Sequence, residues 1–133
     1  MTESDVTKIL MIDDSEPDFV LTSRQLGQEE EIFRHDMTWV SSYEDGAAQM
    51  CSGDYNICIV DYKIDNRTGI DLIREARLKG ADVPVILITG VSMDALDPAD
   101  LERLNISRFL AKSKVNASTL ISVICDTLLH FKK

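Results

Sequence analysis

Five side chains in this sequence have the types and places to do chemistry together: Asp13, Asp14, Asp61, Thr89 and Lys112. Each stands at the end of a short apolar run. Asp13 and Asp14 follow KILMI (8–12), Asp61 follows YNICIV (55–60), Thr89 ends VPVILIT (83–89) and Lys112 follows SRFLA (107–111). If the runs are strands of one open sheet, all five groups project into the crevice beyond the carboxyl ends of the strands, where such sheets bind ligands. Three carboxylates there repel one another and raise their own pKa values unless a cation neutralises them. A few carboxylates with water completing the shell is the donor set that Mg²⁺ prefers. A carboxylate beside Mg²⁺ can attack a phosphoryl group and become an aspartyl phosphate. The metal and Lys112 would then hold the equatorial oxygens of the transferring group, and Thr89 would donate a hydrogen bond to it once attached.

Every member also has a plainer reading. Asp13 and Asp14 precede a helix, where acids serve as caps and dipole partners. An Asp at a strand end is commonly a turn residue, Thr89 before Gly90 a strand end, and Lys112 a solvated cation. Four strand ends delivering all five groups to one crevice would be an improbable coincidence for caps, turn residues and a solvated cation.

The elements that must position these groups are legible. Apolar runs alternate with amphipathic stretches, the pattern of a parallel sheet covered by helices, and continuous apolarity means strands buried on both faces. A further strand within 33–40 mixes charge with apolar residues and reads as an edge. Helix starts recur as a hydroxyl three residues ahead of an Asp: Ser15 with Asp18, Ser42 with Asp45, Thr68 with Asp71. There the hydroxyl caps the helix amides and the acid favours the positive helix end. Asp97-Pro98 offers another start, with Pro at the first helical position. The last helix, about Asn116 to Phe131, carries Leu120, Ile124, Leu128 and Phe131 on one face. Strand and helix thus alternate five times, and right-handed crossovers give an open, doubly wound sheet.

With 133 residues and no linker or repeat, the chain is read as one domain, 1–133. A net charge of −9 argues against a nucleic-acid or anionic-membrane surface. Of three scattered cysteines, Cys58 and Cys125 read as buried thiols and Cys51 as exposed, an odd count that suits a reducing compartment. No basic apolar leader and no membrane-length run is present, so the expectation is a soluble, cytoplasmic protein.

In order and spacing these residues resemble the response-regulator receiver domains of two-component signalling. The resemblance runs from Lys8 to about Phe131. It is carried by the acidic pair in ILMIDDSE, Asp61 in CIVDYKIDNRTG with Gly69 eight residues on, Thr89-Gly90, and Phe109 three residues before Lys112. It implies a (βα)5 flavodoxin-like fold, a five-stranded parallel sheet in the order 2-1-3-4-5. It implies that Asp61 is the phosphoacceptor. Asp14, Asp61 and the backbone carbonyl of Lys63 would ligate Mg²⁺, with Mn²⁺ as a substitute, and Asp13 would act through metal-bound water. Thr89 and Lys112 would contact the phosphoryl group, and Phe109 would be an aromatic switch. The implied partners are a histidine kinase or histidine phosphotransfer protein as donor, and a downstream effector or fused output domain. The effector would read the face of the fourth helix, fifth strand and fifth helix, and a homodimer through the last helices is open to the chain. Such a domain is a self-phosphorylating and self-dephosphorylating switch rather than a turnover enzyme.

Three positions depart from the family pattern. Many members have Met-Pro after the acceptor, where this chain has Lys63-Ile64-Asp65-Asn66. Lys63 lies close enough to pair with the phosphoryl group or obstruct water, so Lys63→Ala is expected to alter the lifetime of the phosphorylated form; an unchanged lifetime would count against this. Ser113 replaces the Pro that commonly follows a cis bond; a cis Lys-Ser bond would cost roughly 3–4 kcal/mol, so a trans bond and a rearranged loop are expected. Phe109 replaces the usual Tyr, so its two positions cannot differ by a phenol hydrogen bond.

Rival readings are a receiver-like interaction module that works without phosphorylation and, from another class, a haloacid-dehalogenase-type phosphatase. The latter wants two acids two residues apart after the first strand, where this chain has Asp13 and Ser15. A flavodoxin-like cofactor protein would need a hydroxyl-rich phosphate loop there, and the acidic pair would repel the phosphate.

Overall fold

A computed structural model describes residues 6–29, 31–90 and 96–130. The elements run β1 (Thr7–Ile12), α1 (Glu16–Gly27), β2 (His35–Val40), α2 (Tyr43–Met50) and β3 (Ile57–Asp61). They continue with the two-residue strands β4 (Lys63–Ile64) and β5 (Arg67–Thr68), then α3 (Gly69–Leu78), β6 (Val85–Thr89), α4 (Pro98–Arg103), β7 (Arg108–Ala111) and α5 (Ala117–His130). Five strands form one parallel sheet in the order β2-β1-β3-β6-β7. With the two-residue strands set aside, this is the expected order 2-1-3-4-5.

Strand period decides the layers. Leu10, Ile12, Cys58, Val60, Val85 and Leu87 point to one side and pack against α2, α3 and the residues around α4. Their alternates Ile9, Met11, Ile57, Ile59, Ile86 and Ile88 point to the other and pack against α1 and α5. β1, β3 and β6 are central and carry apolar residues on both faces, whereas β2 alternates half-buried and exposed residues as an edge does.

The caps form as read. Ser15, Ser42 and Thr68 accept from the amides of Asp18, Asp45 and Asp71 at 3.3, 3.2 and 3.1 Å, and Asp97 accepts from Ala99 ahead of Pro98. Asn116 caps α5 by accepting from Thr119 at 2.9 Å. All peptide bonds among the described residues are trans, Lys112–Ser113 included, and that segment is a short 3₁₀ turn.

Two expectations about α5 need correction or restriction. Cys125 is exposed rather than buried. The buried face of α5 is Leu120, Val123, Ile124 and Thr127, and one residue past Ile124 rotates a side chain by about 100° around the helix, out of the core. Phe131 lies outside the described residues. Cys51 is exposed and Cys58 buried as expected, with burial pushing the Cys58 thiol up to about 12.

The small β4–β5 hairpin was not anticipated. Its turn places Asp65 in the left-handed region (φ 57°). The Asp65 carboxylate accepts from the Tyr43 amide at 3.0 Å, tying the hairpin to the start of α2. Arg67 stacks over the Tyr43 ring at 3.5 Å and pairs with Glu75 at 2.8 Å, and the Tyr43 hydroxyl donates to the same Glu75 carboxylate.

Candidate functional site

The carboxyl ends of β1, β3, β6 and β7 converge, and each contributes a side chain. Asp13 follows β1 directly and is buried. Its carboxylate accepts from the Ser15 amide at 2.9 Å, and its carbonyl accepts from the Trp39 indole at 2.7 Å. Trp39 is in turn stacked on Phe19 of α1, with ring centroids 4.9 Å apart and planes 6° from parallel. Asp61 is the last residue of β3, still within the ladder and 6 % exposed. Thr89 ends β6 fully buried, one register step beyond the residue that faces Asp61. Lys112 extends from the end of β7 and reaches Asp61 at 3.4 Å.

A close approach of the backbone explains the glycine eight residues after Asp61. A Cβ at Gly69 would lie 2.3 Å from the Asp61 carbonyl oxygen. The start of α3 is therefore packed directly on the end of β3, where the Gly69 amide donates to the Tyr62 carbonyl at 2.6 Å.

A further carboxylate joins Asp13, Asp61 and Lys112. Asp18, in the first turn of α1, places a carboxylate oxygen within 4.8 Å of oxygens from Asp13 and Asp61. It also accepts from Lys112 at 2.7 Å, a shorter contact than Lys112 makes with Asp61. In sequence, Asp18 is legible only as a partner of the helix dipole. The signal that could have found it is the spacing of Asp18, Thr22 and Leu26: the last two are the buried face of α1, and Asp18 lies one turn earlier on that face.

The remaining candidates stand at the rim. Asp14 is exposed and outside that trio; its Oδ2 accepts from the Asp65 amide at 2.7 Å, so it braces the β4–β5 hairpin. The Lys63 side chain is exposed, and its backbone pairs with Thr68. Phe109, on β7 opposite Leu87, is half-buried against the core on the α4 side.

Burial and crowding set the electrostatics. Burial is the main cause that pushes the Asp13 carboxyl up to about 7, against the Ser15 amide and with help from the charges of Asp61 and Asp18. Burial likewise raises Asp61, although Lys112 opposes it. For Lys112, burial lowers the pKa, but the Asp18 hydrogen bond and the charges of Asp61, Asp18 and Asp13 raise it overall. Two carboxyls held above their ordinary range beside one ammonium make a site short of positive charge. Its donors are all oxygen, which fits a hard divalent cation such as Mg²⁺.

The sequence matches the response regulator receiver domain family over residues 9–124. No curated protein matches it. Solved structures do. One is the signal receiver domain of a Luxo repressor protein from Vibrio parahaemolyticus, with 21 % identity and TM-score 0.77 over 92 % of this chain and 90 % of that one. Another is a CheY-like receiver domain from Methanospirillum hungatei, with 20 % identity and TM-score 0.73 over 92 % and 94 %. A third is the receiver domain of a Francisella response regulator, with 16 % identity and TM-score 0.77 over 95 % and 99 %. At these identities the structures speak for the fold, while the sequence match over most of the chain speaks for the family. The doubly wound chain with its acids gathered at the strand ends belongs to the response-regulator receiver domains.

Proposed function

We propose that residues 1–133 act as a single cytoplasmic receiver domain that accepts a phosphoryl group on Asp61 from a phosphohistidine donor and so controls a partner. The observation that carries this reading is the pairing of a buried, strand-end Asp61 with Lys112 at 3.4 Å beside the buried Asp13. A carboxylate oxygen of Asp61 attacks phosphorus, and the P–N bond to the donor imidazole breaks with its electron pair leaving on nitrogen. Asp61 is held for this attack by the β3 ladder and by the backbone of α3 packed against its carbonyl. Lys112 supplies fixed positive charge to the phosphoryl oxygens, where most of the catalysis of such transfers resides.

Asp14, Asp61 and the Lys63 carbonyl would hold Mg²⁺, or Mn²⁺ in its place, with Asp13 acting through a water. When bound, the ion supplies the positive charge that this crowd of carboxylates lacks. The hydrogen bond from Asp65 occupies Oδ2 of Asp14, and a carboxylate has a second oxygen to give a metal.

Phosphorylation turns one negative charge into a more negative group with three acceptor oxygens. The Thr89 hydroxyl donates to it, the space that side chain leaves admits Phe109, and the face of α4, β7 and α5 changes shape for an effector or an output domain. The phosphoryl group shifts this equilibrium only by as much as it favours one state. Autodephosphorylation resets the switch, so the domain signals rather than turns over substrate.

The test is direct. Incubation with a small acyl phosphate and Mg²⁺ should add one phosphoryl mass, labile to base and mapped to Asp61. The Asp61→Asn protein should remain unmodified. If the wild-type protein takes up no phosphoryl group under these conditions, the proposal fails and an interaction module that works without phosphorylation replaces it.

A further inference from the structure

We propose that Asp18 is a positioning residue that holds the Lys112 ammonium and competes with the phosphoryl group for it. This rests on the phosphorelay reading of the site. Lys112 Nζ lies 2.7 Å from Asp18 and 3.4 Å from Asp61, so in this state the lysine belongs first to the helix and second to the acceptor. The two carboxylates come from different elements. Asp61 is anchored in the central sheet, while Asp18 rides on the first turn of α1. Ser15 fixes that turn by capping the Asp18 amide, and the Phe19–Trp39 stack holds it against β2. The carboxylate of Asp18 is thus placed at the mouth of the site, about one-third exposed.

An incoming phosphoryl group meets two consequences of this arrangement. Its oxygens must draw Lys112 away from a carboxylate already in contact, and they must sit near the negative charge that Asp18 then exposes. Both oppose the phosphorylated state. Asp18 therefore biases the switch toward its resting form and lowers the affinity of the site for a phosphoryl group.

The full chain in saturating Mg²⁺ can be titrated with beryllofluoride, a mimic of an acyl phosphate. Trp39, the single tryptophan, bonds to the Asp13 carbonyl and serves as the optical reporter. Asp18→Asn, which keeps the shape and removes the charge, should tighten beryllofluoride about fivefold, the worth of one partly exposed ion pair. The ¹⁵N resonance of the Lys112 ammonium should move in the resting variant, a signature that a merely structural Asp18 would not produce. Mg²⁺ affinity should fall only about three- to fivefold, the cost of losing one nearby, partly exposed negative charge, since Asp18 acts on the lysine and not as a ligand. Unchanged or weaker beryllofluoride binding, an unmoved Lys112 resonance, or a tenfold loss of Mg²⁺ affinity would each overturn the assignment. A wild-type protein that takes neither beryllofluoride nor a phosphoryl group at Asp61 would instead sink the phosphorelay reading, and this assignment with it.

Discussion

Asp13 shows how one buried side chain links stability to pH. Its carboxyl is raised from 3.8 to about 7 in the folded chain. The folded state therefore binds a proton that the unfolded state releases, and between those two values stability falls as pH rises. Asp13→Asn keeps an oxygen for the Ser15 amide and removes the charge. We expect it to raise stability at pH 7.5 by about 2 kcal/mol and to flatten the decline. Thermal melts in EDTA from pH 5 to pH 8 measure both; a variant with the wild-type slope would refute the account. The residues that make this site were readable by type and order. Asp13, Asp61, Thr89 and Lys112 sit at strand ends, and a polar residue that ends an apolar run is visible in sequence even where, as with Asp13, Asp61 and Thr89, the fold buries it. Asp18 was not readable in that way, because an acid in a first helical turn looks the same whether it faces solvent or a crevice.

At the scale of elements, two substitutions test how the helices are seated. A Cβ at Gly69 would meet the Asp61 carbonyl at 2.3 Å, and a backbone atom cannot step aside as a flexible side chain can. Gly69→Ala should cost about 2–3 kcal/mol in denaturant unfolding and lower phosphoryl uptake as well, since the displaced atoms belong to the acceptor residue. A loss below 0.5 kcal/mol would show that α3 can shift freely. On α5, the Thr127 hydroxyl is buried with no hydrogen-bond partner among the described residues. Thr127→Val keeps the shape and removes the unsatisfied group, and should stabilise the fold by about 1 kcal/mol; a destabilised variant would mean the hydroxyl has a partner after all. The exposed Cys125 belongs to the same scale. Apolarity and helical context suggested burial, but the phase of the helix against the sheet, set by Leu120, Val123 and Ile124, turned it outward. The β4–β5 hairpin is a further case: two strands of two residues carry too little pattern to read, and the turn at Asp65 is held by Asp14 and Tyr43 from elsewhere in the chain.

For the whole molecule, three carboxylates, Asp13, Asp18 and Asp61, meet where two strand ends and a helix start come together. A cation bound only by the folded state adds stability that grows with its concentration. Added Mg²⁺ should raise the melting temperature at pH 8 and do so less at pH 5, where Asp13 retains a proton that competes with the metal. EDTA should reverse the gain. Equal shifts at both pH values would separate Asp13 from the metal site. The sequence alone determined the alternation of strands and helices, the helix starts and the residues at the strand ends, because period, capping and apolar runs are local properties that survive without a partner. Distances were decided by the tertiary structure alone. It carried α1 back across the sheet so that Asp18 reached Lys112, turned Asp14 toward the hairpin, and set the lysine between two carboxylates, since these depend on how separate elements pack and no stretch of sequence contains both sides of that contact.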